Sequence, residues 1–319
     1  MSEESQVLAN IVCKQFKKFG TDIDFQIVLG GGESVIQAQK DLAEMKDLLE
    51  VFENTFSRFD TKSELMHFNA HLGFKITPSE HFAKIAKLAL NYYHQTGGYF
   101  DPRIITNLEK SGYNVDFALI SSKSNTDIQK NTVLFEKDLT EDIVFFDKEL
   151  VFKQRMDFTG IVKGFVVDYV STELFARGWK NFLIDCGGDM FFAGNDKNGN
   201  PWYIDIDGIS YNSMMLVLSE VGIATSGISK RKWEVEGKRF HHIVNPKNPE
   251  KYSFEVKSVT VVADSTCEAD VWAKTLFIMG RQEAMQFAKE HDIAVVLLDY
   301  AGKAWVSSEL KKYLLKKDV

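Results

Sequence analysis

The chain has 319 residues, 45% hydrophobic and 26% charged, as expected of a globular protein with a real core. A formal charge of −7 lacks the basic surplus of a nucleic-acid binder, and no apolar run is long enough to cross a membrane. Three scattered cysteines, Cys13, Cys186 and Cys267, have neither disulfide-framework nor zinc spacing and suit a reducing compartment. The acidic start, Met1 to Ser5, has no signal-peptide core, so a cytoplasmic protein is expected. The basic runs Lys230–Lys232 and Lys311–Lys317 read as solvated faces.

In chain order, residues 11–29 alternate apolar and polar and predict two short strands broken at Phe19-Gly20, with a turn at Gly30-Gly31-Gly32. A helix is expected from about Ser34 to Ser57, on a stripe of Val35, Leu42, Met45, Leu49, Phe52 and Phe56. Ser57-Arg58-Phe59 with Ser63-Glu64-Leu65 and Asn69, and Gly97 to Pro102, read as a helix end and a loop. Thr77-Pro78-Ser79-Glu80 predicts the next helix, with Thr77 as cap, running to Gln95 and stopping at Gly97-Gly98. Short strands are expected near 132–136, 142–146 and 149–153, then a helix at 161–177. Strands at 182–186, 202–207, 214–218, 231–236 and 258–263 follow. Ser265 and Glu268 form a capping box for another helix, and a strand at 293–298 and a C-terminal helix close the chain. Strands and helices mix without a βαβ rhythm, so the expected class is α+β. Five prolines and no linker predict one domain over 1–319, made of two intimately packed lobes.

Residues 157–189 carry the densest chemistry. Asp157, Lys163 between Gly160 and Gly164, and Asp168 surround one predicted helix, whose N-terminal dipole favours anions. The strand after it ends in Asp185-Cys186-Gly187-Gly188-Asp189. Glycines admit a ligand to the backbone, amides and a lysine hold phosphate, and carboxylates hold a cation, so the layout suits a diphosphate with its metal. Thr225 and Ser226, within Ala224–Gly227, can line a phosphate or ribose. His241 and His242 on a strand face opposite ways, so at most one reaches a site, as donor or base. Asp270 and Lys274 lie one turn apart on a helix that is apolar nearly all round, as an ion pair or with Asp270 a ligand for a hard cation. In the N-terminal half, Ser63, Glu64, Asn69 and the Gly97–Pro102 stretch with Asp101 offer groups for a planar ring. His67 and His71 have helical metal spacing and no third ligand. The usual phosphate-loop, dinucleotide and nucleophile-elbow motifs are absent.

Taken in order, Phe19-Gly20-Thr21, Ser63-Glu64-Leu65, Gly97–Pro102, the Lys163 block, Gly187-Gly188-Asp189, Ala224–Gly227, His242–Pro246 and Ala269-Asp270 resemble the FAD:protein FMN transferases, the ApbE-type flavin transferases. The resemblance covers most of the chain. It implies an α+β fold with the flavin nucleotide between two lobes, FAD as substrate, magnesium, and transfer of FMN to a Thr or Ser hydroxyl of an acceptor flavoprotein with release of AMP. The alternative it carries is a relative that binds FAD or hydrolyses it to FMN and AMP. By the same resemblance Asp270 and the Val162 carbonyl are metal ligands, with Thr275 a further candidate. His242 stands near the reacting diphosphate. Thr225 and Ser226 line the nucleotide, and Asp157, Lys163, Asp168, Gly187, Gly188 and Asp189 form its wall. Ser63, Glu64, Asn69 and Asp101 lie toward the flavin. Asp270, His242 and neighbouring carboxylates stay open as the base. Three departures stand out: Lys274 where the family commonly has threonine, the bulkier Val162, and Asn245-Pro246-Lys247-Asn248-Pro249 in place of an Asp-Pro-x-Thr-Gly segment. Lys274 would offset phosphate charge, which predicts weak metal affinity or partial metal independence.

Overall fold

The computed structural model describes residues 6–113, 132–209, 214–229, 231–235 and 237–315. Lys230 and residues 316–317 of the two basic runs lie outside them. Behind a short β1 (Gln6–Leu8), the alternating segment forms β2 (Ile11–Lys18) and β3 (Thr21–Val28). Phe19 and Gly20 between them both take positive φ, the geometry of a two-residue hairpin turn. Helix α1 (Val35–Phe56) starts at the Ser34 cap and buries Leu42, Met45, Leu49, Phe52 and Phe56.

The next stretch departs from expectation. Residues read as a loop form α2 (Glu64–Ala70), capped by Ser63. Helix α3 (Glu80–Gln95) is capped by Ser79, not Thr77, because Glu64 accepts hydrogen bonds from both the amide and the hydroxyl of Ser79 and pins it there. After α4 (Ile105–Lys110), no strand forms at 132–136: the Asn107 side chain accepts from the Val133 amide and donates to its carbonyl, taking the bonds a strand partner would make.

Then come β4 (Ile143–Phe146), β5 (Glu149–Phe152), α5 (Thr159–Ala176), β6 (Phe182–Cys186), β7 (Asp189–Ala193), β8 (Trp202–Asp205), β9 (Met215–Leu218) and β10 (Val221–Gly227). They are followed by β11 (Lys232–Val235), β12 (Lys238–His241), β13 (Val256–Ala263), α6 (Thr266–Met279), α7 (Arg281–Glu290), β14 (Ala294–Asp299) and β15 (Ala304–Val306). The expected C-terminal helix is a 3-10 turn at Glu309–Tyr313. Strands β1, β7, β10 and β15 were not anticipated.

Nine strands pair in the order β1-β2-β3-β6-β7-β10-β13-β14-β15, antiparallel throughout. Alternate residues divide the sheet's side chains between two faces. Phe25, Phe182, Ile184 and Phe191 pack into the cluster shared with α1, α3 and α5, and Val259, Val261 and Leu297 into the one shared with α6 and α7. Leu183, Phe192, Ile223, Val262 and Val296 face the other way, with Trp202, Leu216 and Leu218 of the β8–β9 hairpin. This is an α+β fold, as expected.

Two glycines set where α6 sits. A Cβ on Gly164 of α5 would lie 2.7 Å from the Cys267 Cα, and one on Gly222 of β10 would lie 2.2 Å from the Thr266 nitrogen. Gly164, expected to admit a ligand, admits the backbone of a helix instead.

Candidate active site

The segment leading into α5 is held from several sides. Asn69 accepts from the Met156 amide at 2.8 Å and donates to its carbonyl at 2.9 Å. The Asp157 amide donates to the Pro102 carbonyl, its Oδ1 accepts from the Thr159 amide, and its Oδ2 lies 3.4 Å from Arg58 Nε. Asp101 caps the 3-10 turn at Pro102–Ile104 and grips Arg103, which bridges on to Asp142 at 2.7 Å. Ser63 and Glu64 cap α2 and tie it to α3. The structure therefore gives Ser63, Glu64, Asn69, Asp101 and Asp157 packing and capping partners that aim the first turn of α5, where Val162 and Lys163 sit.

Helix α6 brings the second half of the site. The Lys163 ammonium donates to Asp189 at the start of β7, and Lys274 donates to Asp270 Oδ1 one turn away on α6. The carboxylates are 2% exposed and the lysines 19% and 22%. The two pairs act on each other. Burial works against the Lys163 charge, yet Asp189 and then Asp270 hold its ammonium above the ordinary lysine range. Burial, backed by the Asp270 charge, pushes the Asp189 carboxyl up to about 6, against the pull of Lys163 and Lys274. Among the described residues Asp270 Oδ2 is buried without a hydrogen-bond partner. A bare anionic oxygen in a buried site suits a cation, and the Lys274 and Lys163 ammoniums suit an anion beside it. Gly160 lies under this pair: a Cβ there would touch Phe100 at 3.5 Å and the Lys274 stem at 3.7 Å.

The other predicted residues divide. Asp168 does not face the cluster as a bare wall; it accepts from the Thr266 and Cys267 amides at 2.7 and 2.9 Å and so caps α6 from α5. Burial pushes its carboxyl up to about 6 despite those two bonds. Gly187 and Gly188, at φ 70° and 97°, make the tight turn between β6 and β7, where Asp185 accepts from the Gly188 amide. Ser226 is buried on the helix-facing side of β10 with Ala224, whereas Thr225 points to the opposite face and shares a 2.9 Å hydrogen bond with Thr260. The Thr275 hydroxyl is buried without a partner among the described residues, but five residues on, about 140° round α6 from Asp270. The His67 and His71 rings pack on each other at a 45° tilt, and no cluster of three metal-ligating side chains exists among the described residues.

The two histidines part: His241 ends β12, and His242 lies just beyond the strand. His241 Nε2 lies 3.0 Å from the Ser253 carbonyl, and its ring is surrounded by Tyr252, Phe254 and Phe277. His242 has Nδ1 3.3 Å from the Arg231 carbonyl, which can only accept, so the proton sits on Nδ1 and Nε2 keeps its lone pair. Burial, then the charges of Arg231, His241 and Lys274, hold His242 down at about 3, so at neutral pH it is an uncharged acceptor. Arg231, the first residue of the predicted strand and the middle of the Lys230–Lys232 run, was read only as part of a solvated face.

His241 gives a stability prediction. Burial holds it down at about 4 against an ordinary 6.5. The unfolded chain takes up a proton as pH falls below 6.5, and the folded chain does so only below about 4. Stability contributed by the neutral ring is therefore full above 6.5 and falls through this window, by about 3 kcal/mol for a shift of this size. In urea titrations from neutral pH to about pH 4, His241→Gln is expected to lose that much of the wild-type pH dependence; parallel profiles would contradict it.

Fold and site together define an α+β protein that holds two lysine–carboxylate pairs between adjoining helices and a sheet. The chain belongs to the ApbE family, whose sequence model matches residues 19–297. The FAD:protein FMN transferase of Vibrio cholerae is 29% identical over 298 residues, 86% of this chain and 84% of that protein. The FAD:protein FMN transferase of Klebsiella pneumoniae is 25% identical over 305 residues, 90% of this chain and 85% of that protein. The crystal structure of the Pseudomonas stutzeri flavinyl transferase ApbE, in its apo form, aligns with a TM-score of 0.80 at 18% identity, over 100% of both chains, and shares the fold.

Proposed function

We propose that this chain is an FAD:protein FMN transferase, moving FMN from FAD to a Thr or Ser hydroxyl of an acceptor flavoprotein and releasing AMP. The reading is carried by the paired-charge cluster, with the bare Asp270 Oδ2 beside two ammonium groups, in a chain whose relatives bear that activity. The flavin nucleotide would lie between the two lobes. In the reaction the acceptor oxygen attacks the FMN-side phosphorus, and the bond to the AMP oxygen breaks. Lys163 and Lys274 would meet the diphosphate oxygens, Ser226 offers a hydroxyl from β10, and His242 Nε2 offers an acceptor. Asp270, His242 or a neighbouring carboxylate would take the incoming hydroxyl proton. Asp270 Oδ2 would hold a hard divalent cation such as magnesium, with the Val162 carbonyl a second ligand by family resemblance, and the cation when bound would neutralise diphosphate charge. The free cysteines, two of them buried, fit a cytoplasmic setting and a cytoplasmic acceptor.

The test incubates the purified protein with FAD, magnesium and a flavin-acceptor domain, reading in-gel fluorescence and acceptor mass. A mass gain equal to an FMN phosphoester is expected. An unmodified acceptor with FMN and AMP in the tube would replace the transferase reading with FAD hydrolysis, and absence of FAD binding would overturn both.

A further inference from the structure

The Asp270 carboxylate is asked to do two things. Its Oδ1 is taken by the Lys274 ammonium from the next turn of α6, and its Oδ2 is buried and bare. Lys163 and Asp189 stand beside it as a second pair, so the ligand-free cluster holds two positive and two negative groups and is neutral. A divalent cation entering that cluster meets two ammonium groups, and gains only the one carboxylate oxygen that Lys274 leaves. The Lys274 side chain is 22% exposed, and its stem lies along Gly160, which itself carries no side chain, beside the Phe100 ring. The ammonium can therefore leave Asp270 by rotating its stem, whereas Asp270, 2% exposed on a packed helix, cannot follow.

We propose that Lys274 is a latch on Asp270: its ammonium occupies the carboxylate in the ligand-free protein and moves to the diphosphate when the nucleotide binds, freeing both carboxylate oxygens for a divalent cation. One motion then supplies a cation to the phosphate and an anion to the metal. Metal affinity is low without nucleotide and is coupled to its arrival. The same ammonium supports nucleotide binding when no divalent cation is present. Lys274 is thus a positioning residue toward the metal and a binding residue toward the phosphate. The inference rests on the transferase reading for the identity of the diphosphate, but its metal half does not.

The test titrates manganese, by electron paramagnetic resonance, into ligand-free wild-type protein, Lys274→Met, Lys274→Arg and the double variant Lys274→Met/Asp270→Asn. Methionine keeps the stem and removes the charge without adding an oxygen ligand. Releasing a charge-assisted bond of this kind is worth about tenfold or more in affinity. Lys274→Met is expected to bind manganese at least about tenfold more tightly than wild type. Lys274→Arg should stay weak, and the double variant should lose the gain. Equal affinity of wild type and Lys274→Met, or a gain that survives in the double variant, overturns the latch. FAD binding in EDTA, read by flavin fluorescence on the same samples, tests the other half. Weaker binding by Lys274→Met supports it, and equal binding overturns it. If no variant binds FAD, the transferase reading falls, while the manganese titration still judges the latch.

Discussion

Asp270→Asn is expected to lower FMN transfer by about 10³-fold or more, with the fold intact. The substitution keeps the size of the side chain and removes the charge from which the whole cluster takes its balance. An amide in that position can present one oxygen to a cation, not a carboxylate, and its NH2 group cannot accept from the Lys274 ammonium. Lys163, which feels Asp270 as its second anionic neighbour, loses that support as well. Breaking a buried pair costs about 3–5 kcal/mol when the survivor is trapped. Here the survivor is Lys274, whose side chain reaches solvent, so the loss of stability is expected to stay near 1–2 kcal/mol. Initial rates of acceptor flavinylation and thermal melts on the same protein separate the two effects. A variant that retains transfer within about tenfold of wild type would remove Asp270 from the reacting centre.

The site was legible where chemistry and local geometry coincide. The i,i+4 spacing of Asp270 and Lys274 put both on one helix face, but it left ion pair and metal ligand as rivals. The structure shows one oxygen of Asp270 in the pair and the other bare, so the ion pair is present and the bare oxygen is what the metal-ligand proposal stands on. The Ser34 and Ser265 caps followed from local sequence alone, whereas the strand period covered only His241, since β12 ends there and His242 lies beyond it. What failed was non-local. Asp168 looked like part of a ligand wall because nothing nearby claims it; its partners are the amides of α6, 98 and 99 residues on. Strands β7 and β10 were missed because Gly187-Gly188 and Gly222 interrupt the apolar pattern, and their place in the sheet is decided by neighbours far away in sequence. The departing Asn245–Pro249 segment also makes a non-local contact: its Lys247 lies 3.8 Å from the centre of the Tyr99 ring, whose hydroxyl donates to Glu283 of α7.

Gly222→Ala is expected to be the most damaging small substitution in the chain. A methyl group there would lie 2.2 Å from the Thr266 nitrogen and 2.4 Å from the Ser265 carbonyl carbon, both backbone atoms with no side-chain freedom to yield. Strand β10 cannot retreat, because Gly222 is paired on one side with Phe191 and on the other with Ala263 in the middle of the sheet. Helix α6 has to move instead, and it is already fixed from the far side by the contact at Gly164 and by the Asp168 cap. Overpacking of this kind costs about 3 kcal/mol or more. Gly31→Ala is the matched control, since its Cβ meets nothing within 4 Å and its φ is ordinary; it should fall within about 0.5 kcal/mol of wild type. Urea unfolding compares the three proteins, and a Gly222→Ala value within about 1 kcal/mol of wild type would contradict the rigid seating of α6. The same displacement carries Asp270 and Lys274 away from Lys163 and Asp189, so transfer should fall along with stability. Asp270→Asn should lose the chemistry and keep the fold; Gly222→Ala should lose both together, because the helix that bears the charges is positioned by the absence of one methyl group.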